Sequence, residues 1–516
     1  MNCKSSFQLP LLLTAMTMTF WSLGCGSGSS SGTPYTAVVQ TQHPLVANYQ
    51  VIEYGAANVW VEFGPDTTYG RKTSIYSGTT KTGNNIFAIL VAGMKPSTQY
   101  HMRAHVDFLN GNSWVDQDRI FTTGPLPATN KLGISVTRPN PDLGVKQSGV
   151  ELLDVVASGT YNLQGLVSDL DGNVIWYYDF GSSTPTTWPF PIKQLANGDM
   201  LMMVNSTATD TVEEIDLSGA VVRSIGLSDL NAKLEAAGIP QVTNLHHDVL
   251  VLPNGHWILL GQLTRTYDDL QGYTGPTQVT GDELIDLDTN FDPVWHWLSF
   301  DHLDVNRHLQ GLPDWTHSNA LVYTPNDGNI LLSMRNQSWI LKIDYENGTG
   351  GGDILWRLGE GGDMTLTEGH PADWFYAQHY PNLLSVNGST LTLAIFDDGN
   401  QRLNDDDVPC EGYVYPDCYS RATIFQIDED TKVATLEWAY QPGYFTFWGG
   451  SIGVMDNGDV EFDASQPLGL NVLESIVMEV TRTPDPQVVW QMDVTGGSAY
   501  RGLRIPSLYP GVVWTK

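Results

Sequence analysis

Residues Asp314–Gln337 read D-W-T-H-S-N-A-L-V-Y-T-P-N-D-G-N-I-L-L-S-M-R-N-Q. An apolar run through Ala320–Tyr323, a turn at Pro325–Gly328 and a second apolar run at Asn329–Met334 predict a β-hairpin. In a two-stranded ribbon the start of the first strand lies beside the end of the second. His317 and Asn319 therefore lead in where Arg335 leads out. An imidazole, an amide and a guanidinium at one end of a sheet can hold an oxyanion. The chain has only 12 histidines. Two others, His247 in H-H-D-V and His379 in Q-H-Y-P-N, precede hairpin turns of their own by similar distances.

The elements that must position these groups come from an internal repeat. Strand, glycine turn and strand recur as Q-L-A-N-G-D-M-L-M, L-V-L-P-N-G-H-W-I-L-L, L-V-Y-T-P-N-D-G-N-I-L-L, L-L-S-V-N-G-S-T-L-T-L and I-G-V-M-D-N-G-D-V-E-F. Each continues into a second hairpin that often ends on Trp, as in E-L-I-D-L-D-T-N-F-D-P-V-W. Four strands per unit is the pattern of propeller blades. A further second hairpin stands at Leu166–Asp179 without its first, and the C-terminal L-R-I-P-S-L-Y-P-G-V-V-W supplies strand material without a second. Joining the two ends closes a blade and removes the exposed edges of an open array. The expectation is an all-β chain whose residues 134–516 form a six-bladed β-propeller closed by the C-terminal strands.

First strands line a propeller's channel, so the residues leading into them share one mouth. Counting back from the turn glycines gives Phe190, His247, His317, His379 and Gly450, with Tyr500 and Arg501 at the matching point of the closing blade. Arg335 returns to the same mouth. His246 should face away from His247 in a strand and belong to the wall. It is nevertheless kept with Asn319, Tyr500, Arg501, Tyr376 and Phe190 as a candidate substrate-binding residue. Three histidines could also hold a metal, but Arg335 would oppose a bound cation and no carboxylate shares their offset. No metal or other cofactor is expected.

Several motifs converge on a known family: H-H-D-V with L-P-N-G-H-W-I-L, D-W-T-H-S-N-A with S-M-R-N-Q-S-W-I-L-K-I-D, Q-H-Y-P-N-L-L with I-F-D-D-G-N, Y-S-R-A-T-I-F-Q-I-D, and Tyr500-Arg501 followed by I-P-S-L-Y-P. In order and spacing this part of the chain resembles the bacterial arylsulfate sulfotransferases, which do not use a nucleotide sulfate donor. The resemblance implies a ping-pong transfer in which His379 attacks an aryl sulfate, forms a sulfohistidine and passes the sulfuryl group to a phenol. Neutral imidazole is a competent nucleophile, and covalent catalysis divides one hard displacement into two. Arg335, Asn319, His317 and His247 would stabilise the sulfuryl oxygens, with the acid/base role open between His317 and His247. Phe190, Tyr376 and Tyr500 are candidates to stack on an aryl ring. Two other classes stay open from the residues alone: a metal-dependent propeller hydrolase or lyase, and a propeller that only binds.

The rest of the chain sets the context. Residues 36–124 predict strands at Asn58–Phe63, Ile86–Val91, Gln99–Val106 and Arg119–Thr122. V-W-V-E-F-G-P-D-T-T-Y-G and G-M-K-P-S-T-Q-Y-H-M-R-A resemble a fibronectin type III-like β-sandwich, with Trp60 in its core and Tyr100 after Pro-x-Thr. Residues 1–24 suit a secretory leader and residues 25–35 a Gly/Ser tether. Gly24-Cys25 resembles a bacterial lipoprotein signal, although Ser22 and Leu23 depart from the usual pattern. Export with an acylated Cys25 at a membrane, or export to the periplasm without one, are both open. Cys410 and Cys418, isolated in an exported chain, suggest a disulfide. With 25 Lys+Arg against 57 Asp+Glu, a net −32, nucleic acid is excluded as a partner. A second copy of the chain is a partner left open.

Overall fold

The computed structural model describes residues 33–515 apart from 129, 131, 144–146, 157–162, 179–187, 207–209, 368–372, 404–407, 411–417, 447 and 468–473. The expected leader, Cys25 and most of the tether lie outside the described residues. The described chain is all-β, with an α-helix at Leu227–Ala237 and a short one at Ser299–His302.

Among the described residues, six sheets lie from Gly133 onward, antiparallel apart from one short edge strand. In the second, Trp188–Gln194, Met200–Asn205, Asp210–Ile215 and Val221–Gly226 pair in chain order. The third runs Asn244–Val251, Trp257–Tyr267, Thr277–Leu287 and Pro293–Leu298. The fourth runs Ser318–Thr324, Asn329–Met334, Trp339–Ile343 and Ile354–Leu358. The fifth runs His379–Asn387, Thr390–Asp397, Arg421–Asp428 and Val433–Tyr440, with Thr365–Leu366 added in parallel at its outer edge. The sixth runs Ser451–Val454, Val460–Ser465, Glu474–Val480 and Val488–Thr495, edged by Gly133–Thr137. Each first hairpin turns at its expected glycine, and all five of these glycines have positive φ, 72° at Gly328 for example. A side chain there would meet strain that glycine escapes.

The first sheet draws on both ends of the chain. Val174–Tyr178, Gly165–Ser168 and Val150–Val156 pair in that order, and Ser498–Ile505 completes it on Val150–Val156. The first strands of successive sheets pack side by side, and Ser498–Ile505 packs against both Ser451–Val454 and Trp188–Gln194. Arg504 ties this junction. Its side chain is 2 % exposed and meets Glu151 on its own sheet, and Glu461 and Glu479 of the sixth sheet at 3.3 and 3.2 Å.

The C-terminal strand starts earlier than the sequence suggested and ends at Ile505. The residues beyond are not strand; they pack on the N-terminal module. Tyr509 Oη donates to Leu90 O at 2.8 Å and accepts from Ala92 N at 2.7 Å. Trp514 Nε1 donates to Lys72 O at 3.1 Å, under the Arg71 guanidinium. These side chains share one buried cluster with Tyr49, Val59 and Phe63. The module itself has a three-stranded sheet, Tyr35–Gln40, Ala47–Tyr54 and Asn84–Val91, and a six-stranded one built on Ala57–Gly64 and Gln99–Phe108. The four expected strands are present; the first two of the module were missed. Trp60 is not a core residue. Alternation along Ala57–Gly64 sends Val59 and Val61 inward, so Trp60 lies on the outer face, stacked on His105 at 3.8 Å. Tyr100 is buried as expected. His43 joins the module to the first sheet through a 2.6 Å bond to Tyr177 O, and burial lowers its pKa to about 4.

Arg504→Met would leave three buried carboxylates around an apolar side chain. The expected loss is about 3–5 kcal/mol of stability, read by denaturant unfolding at neutral pH. A loss within about 0.5 kcal/mol would mean that Arg504 does not hold the first and sixth sheets together.

Candidate active site

The first strands of the third, fourth and fifth sheets bring His247, His317 and His379 together, but none arrives in regular β geometry. His247 and His317 have φ of 55° and 48°, and Ala377 and Tyr380 flank His379 with φ of 51° and 46°. Left-handed non-glycine residues cost on the order of 1–3 kcal/mol each and persist where surroundings over-determine them. Pairing registers break at the same places, between Leu245 and Val249 and between His379 and Asn382. The ring centroids of His247 and His317 are 4.6 Å apart, and His247 and His379 each lie 5.8 Å from the Tyr500 ring. Phe190 completes the aromatic lining, 4.8 Å from Tyr500 and 5.7 Å from His247.

His379 is 2 % exposed and fixed at both nitrogens. Nδ1 lies 2.7 Å from Asp398 Oδ2, and Nε2 accepts from the Gly449 N–H at 3.2 Å. A nitrogen that accepts from a peptide N–H carries a lone pair, so the ring proton sits on Nδ1 and points at Asp398. Burial, then Arg335, His317 and Arg501, push the His379 imidazole well below the ordinary histidine range, so the ring is neutral. Burial raises the Asp398 carboxyl well above its usual range against the pull of Arg335. Asp398 Oδ2 is the acceptor that faces the Nδ1 proton of the ring. The Gln378 amide docks this segment on the fourth sheet through Ser333 Oγ at 3.0 Å and Trp339 O at 2.9 Å.

The hairpin of the fourth sheet folds as expected and keeps Arg335 beside His317, whose carbonyl accepts from the Arg335 N–H at 3.1 Å. The Arg335 guanidinium is oriented by Gln310 Oε1 at 3.1 Å and Asn336 Oδ1 at 2.9 Å. His317 Nδ1 is paired with Asp314 at the partly exposed rim. Asn319 is fully buried, and its amide donates to Gln378 O at 2.7 Å.

The remaining candidates divide. Tyr500 is central, and its buried hydroxyl makes no hydrogen bond among the described residues. Arg501 is committed to protein acceptors, Asn319 O at 2.8 Å and Asp248 Oδ1 at 3.3 Å, with Tyr380 stacked at 4.7 Å. Tyr376 sits in a separate core with Trp374 and Phe375, its hydroxyl on Glu360. His246 is in the wall, as expected, but the left-handed His247 breaks the alternation and brings the two Nδ1 atoms to 2.9 Å. Sequence reasoning missed Asp398, Gly449 and Trp448, whose ring stacks 6.1 Å from Tyr500. The I-F-D-D-G-N motif held Asp398 in view, with no signal for which aspartate turns inward. Asp397 points the other way, to Arg402 and Arg421. Cys410 and Cys418 form the expected disulfide, 5.6 Å between Cα atoms. Cys410 pairs through its backbone with Arg402, whose side chain holds Asp397. Among the described residues no group of three or more His, Cys, Asp or Glu is placed to hold a metal ion. No helix among them is long and apolar enough to cross a membrane.

Residues 141–501 match the family model described as arylsulfotransferase (ASST). A search of curated proteins found no match. Among solved structures, a protein from Lactobacillus plantarum is similar at 9 % identity, covering 70 % of this chain and 100 % of its own, with a TM-score of 0.36. The dihydro-heme d1 dehydrogenase NirN is similar at 13 % identity, covering 72 % and 80 %, with a TM-score of 0.29. Likeness at that level carries nothing about activity.

Arg335 is one of the cations that depress His379, so Arg335→Met is expected to raise the His379 pKa toward the ordinary value. In NMR titration the wild-type ring should stay neutral as pH falls through 6.5, and the variant ring should protonate at higher pH than the wild type. Coincident curves would remove Arg335 from the electrostatics of His379.

Proposed function

The chain belongs to the arylsulfotransferase family, and from that premise we propose that it transfers a sulfuryl group from an aryl sulfate to a phenol through a sulfohistidine at His379. Family membership implies a sulfotransferase. The observation that supports the finer mechanism is the His379–Asp398 pair, which orients the Nε2 lone pair toward the Gly449 N–H, with the Arg335 charge and the Tyr500 ring beside it.

In the first half-reaction Nε2 attacks sulfur, the N–S bond forms and the S–O bond to the aryl group breaks. The imidazole gains positive charge as it gives up its lone pair, and Asp398 stabilises that charge through the Nδ1–H bond. The Gly449 N–H, aimed at the lone pair in the resting site, becomes a donor for a sulfuryl oxygen, together with Arg335, His317, the Tyr500 hydroxyl and the second Asn319 amide proton. Phe190, Tyr500 and Trp448 offer rings for the aryl group. The departing phenolate takes a proton from a histidine; in the second half-reaction the acceptor phenol returns one as its oxygen bonds to sulfur and the N–S bond breaks, which restores neutral His379.

The six sheets fit six blades around a channel, closed by Ser498–Ile505, and the N-terminal module fits a fibronectin type III-like sandwich. Export to the periplasm through the leader at residues 1–24, with Cys25 as a lipid anchor, completes the proposal. The disulfide is consistent with an exported protein.

Incubation with p-nitrophenyl sulfate and a phenol should release nitrophenol, and donor-loaded protein should carry an added SO₃ on the His379 peptide by mass spectrometry. His379→Ala should abolish both. Asp398→Asn should lower kcat by about 10²–10⁴-fold with little change in stability. An adduct on another residue would move the nucleophile, and no release with any aryl sulfate would end the assignment.

A further inference from the structure

The wall behind His247 holds two groups that the transfer mechanism does not use, and they bear on which histidine moves the phenol's proton. We propose that His246 and Asp282 form a proton relay behind His247, making His247 the acid and base of the transfer and leaving His317 to hold sulfuryl oxygens. The proposal rests on the sulfuryl-transfer mechanism above.

His246 Nδ1 and His247 Nδ1 face each other at 2.9 Å, so one proton lies between them. On its far side His246 Nε2 stands at an ion-pair distance of 3.3 Å from Asp282 Oδ1, without hydrogen-bond geometry, and neither atom has a hydrogen-bond partner among the described residues; His246 is 5 % and Asp282 0 % exposed. The other carboxylate oxygen accepts from the Ser318 N–H at 2.6 Å. A peptide N–H carries no charge, and among the described residues His246 is the one basic side chain at ion-pair distance from this buried carboxylate, so the relay takes His246 as its imidazolium. Burial acts to raise the Asp282 carboxyl, but His246 and Ser318 outweigh it and hold the group below its usual range. His246 as an imidazolium donates Nδ1–H to His247 Nδ1. That bond fixes the proton of His247 on Nε2, the nitrogen left for the pocket formed with His317, Phe190 and Tyr500. Burial, then His317 and His246, push His247 well below the ordinary histidine range, so it is neutral and cannot store a second proton itself. His317 is built differently: its Nδ1 partner is Asp314 at a rim where the two side chains are 25 % and 42 % exposed.

The protons balance without a co-reactant. As the aryl S–O bond breaks, the Nε2–H bond of His247 breaks and an O–H bond forms on the phenolate. The Nδ1 proton of His246 passes to His247 Nδ1. His247 ends neutral with its proton on Nδ1, and His246 ends neutral with its proton on Nε2, facing Asp282. In the second half-reaction the acceptor phenol gives its proton to His247 Nε2, and the Nδ1 proton returns to His246.

The discriminating variant is His246→Asn, because an asparagine amide can still donate to His247 Nδ1 but cannot pass a proton on. First-half-reaction rates would be measured from p-nitrophenyl sulfate through to phenyl sulfate, with one fixed acceptor. The good leaving group should lose less than about tenfold and phenyl sulfate about 10²-fold, with Asp282→Asn steepening the series in the same direction. His317→Gln should slow all donors alike. A proton inventory of the wild type on phenyl sulfate in mixed H₂O and D₂O should curve, as two protons in flight require. A linear inventory, an equal loss across the donors in His246→Asn, or a steepened series in His317→Gln would overturn the relay. Absence of transfer by the wild type from any donor would instead overturn the sulfuryl-transfer assignment.

Discussion

One guanidinium joins the parts of the molecule that build the pocket. Arg501 sits on the strand that closes the first sheet, and its backbone N–H donates to Asp154 on the neighbouring strand. Its side chain reaches Asp248 and the His247 carbonyl on the third sheet and the Asn319 carbonyl on the fourth, and stacks on Tyr380 of the fifth. A cation only 2 % exposed is tolerable only because Asp248 pairs with it. Asp248 in turn takes Lys193 of the second sheet at 2.6 Å and the Leu321 N–H at 2.8 Å. The network fixes the carbonyl of His247 and the backbone of Asn319, so imidazole positions follow from charge pairing beneath them. The price is that Arg501 has little left for an anion, which leaves that task to Arg335.

The same division explains how an acidic chain can serve an anionic group. The net charge of −32 is spread over a large surface, and at physiological salt a charge is screened beyond about 8 Å. In the proposed transfer, what a sulfuryl group would meet is local: Arg335, the peptide N–H of Gly449 and imidazole N–H groups. Burial and the neighbouring cations keep His379 and His247 neutral. A pocket of protonated imidazoles would attract an anion more strongly but would contain no nucleophile. Neutral rings, with the cationic role given to arginine, reconcile attraction with attack.

Much of this was legible in the chain because it depends on period. Glycine turns, alternating strands and terminal tryptophans repeat with each sheet, so the hairpins, the split first sheet and the shared offset of His247, His317 and His379 could be read by counting. What counting could not reach is where the backbone leaves the period. The left-handed residues at His247, His317, Ala377 and Tyr380 have no composition signal, since none is glycine. They bring His246 against His247 and set His379 between Asp398 and Gly449. Asp398 was inseparable from Asp397, because the choice depends on Arg402 and Arg421 capturing one of the two. Trp60 failed for a related reason: an aromatic residue in a strand suits either face, and the alternation of Val59 and Val61 decided it. Arg501 looked like an anion ligand because its partners come from three other sheets, distant in sequence.

The two imidazoles with buried partners are set up as opposites. At His379 a carboxylate accepts from Nδ1–H and the pocket-side nitrogen accepts from a peptide N–H, which leaves the lone pair that the proposed mechanism uses on that side. At His247 the Nδ1 of a second imidazole stands 2.9 Å behind the ring, and in the proposed relay it supplies the rear proton and leaves an acid facing the pocket. Identical side chains in one cavity would otherwise share a tautomer equilibrium, and many of their combinations would be unreactive. Rear partners remove that ambiguity at a modest energetic cost, because each is itself paired or buried where its charge is needed. On the proposed mechanism, nucleophile and proton donor are therefore distinguished less by the rings than by what stands behind them: Asp398 behind one, His246 and Asp282 behind the other.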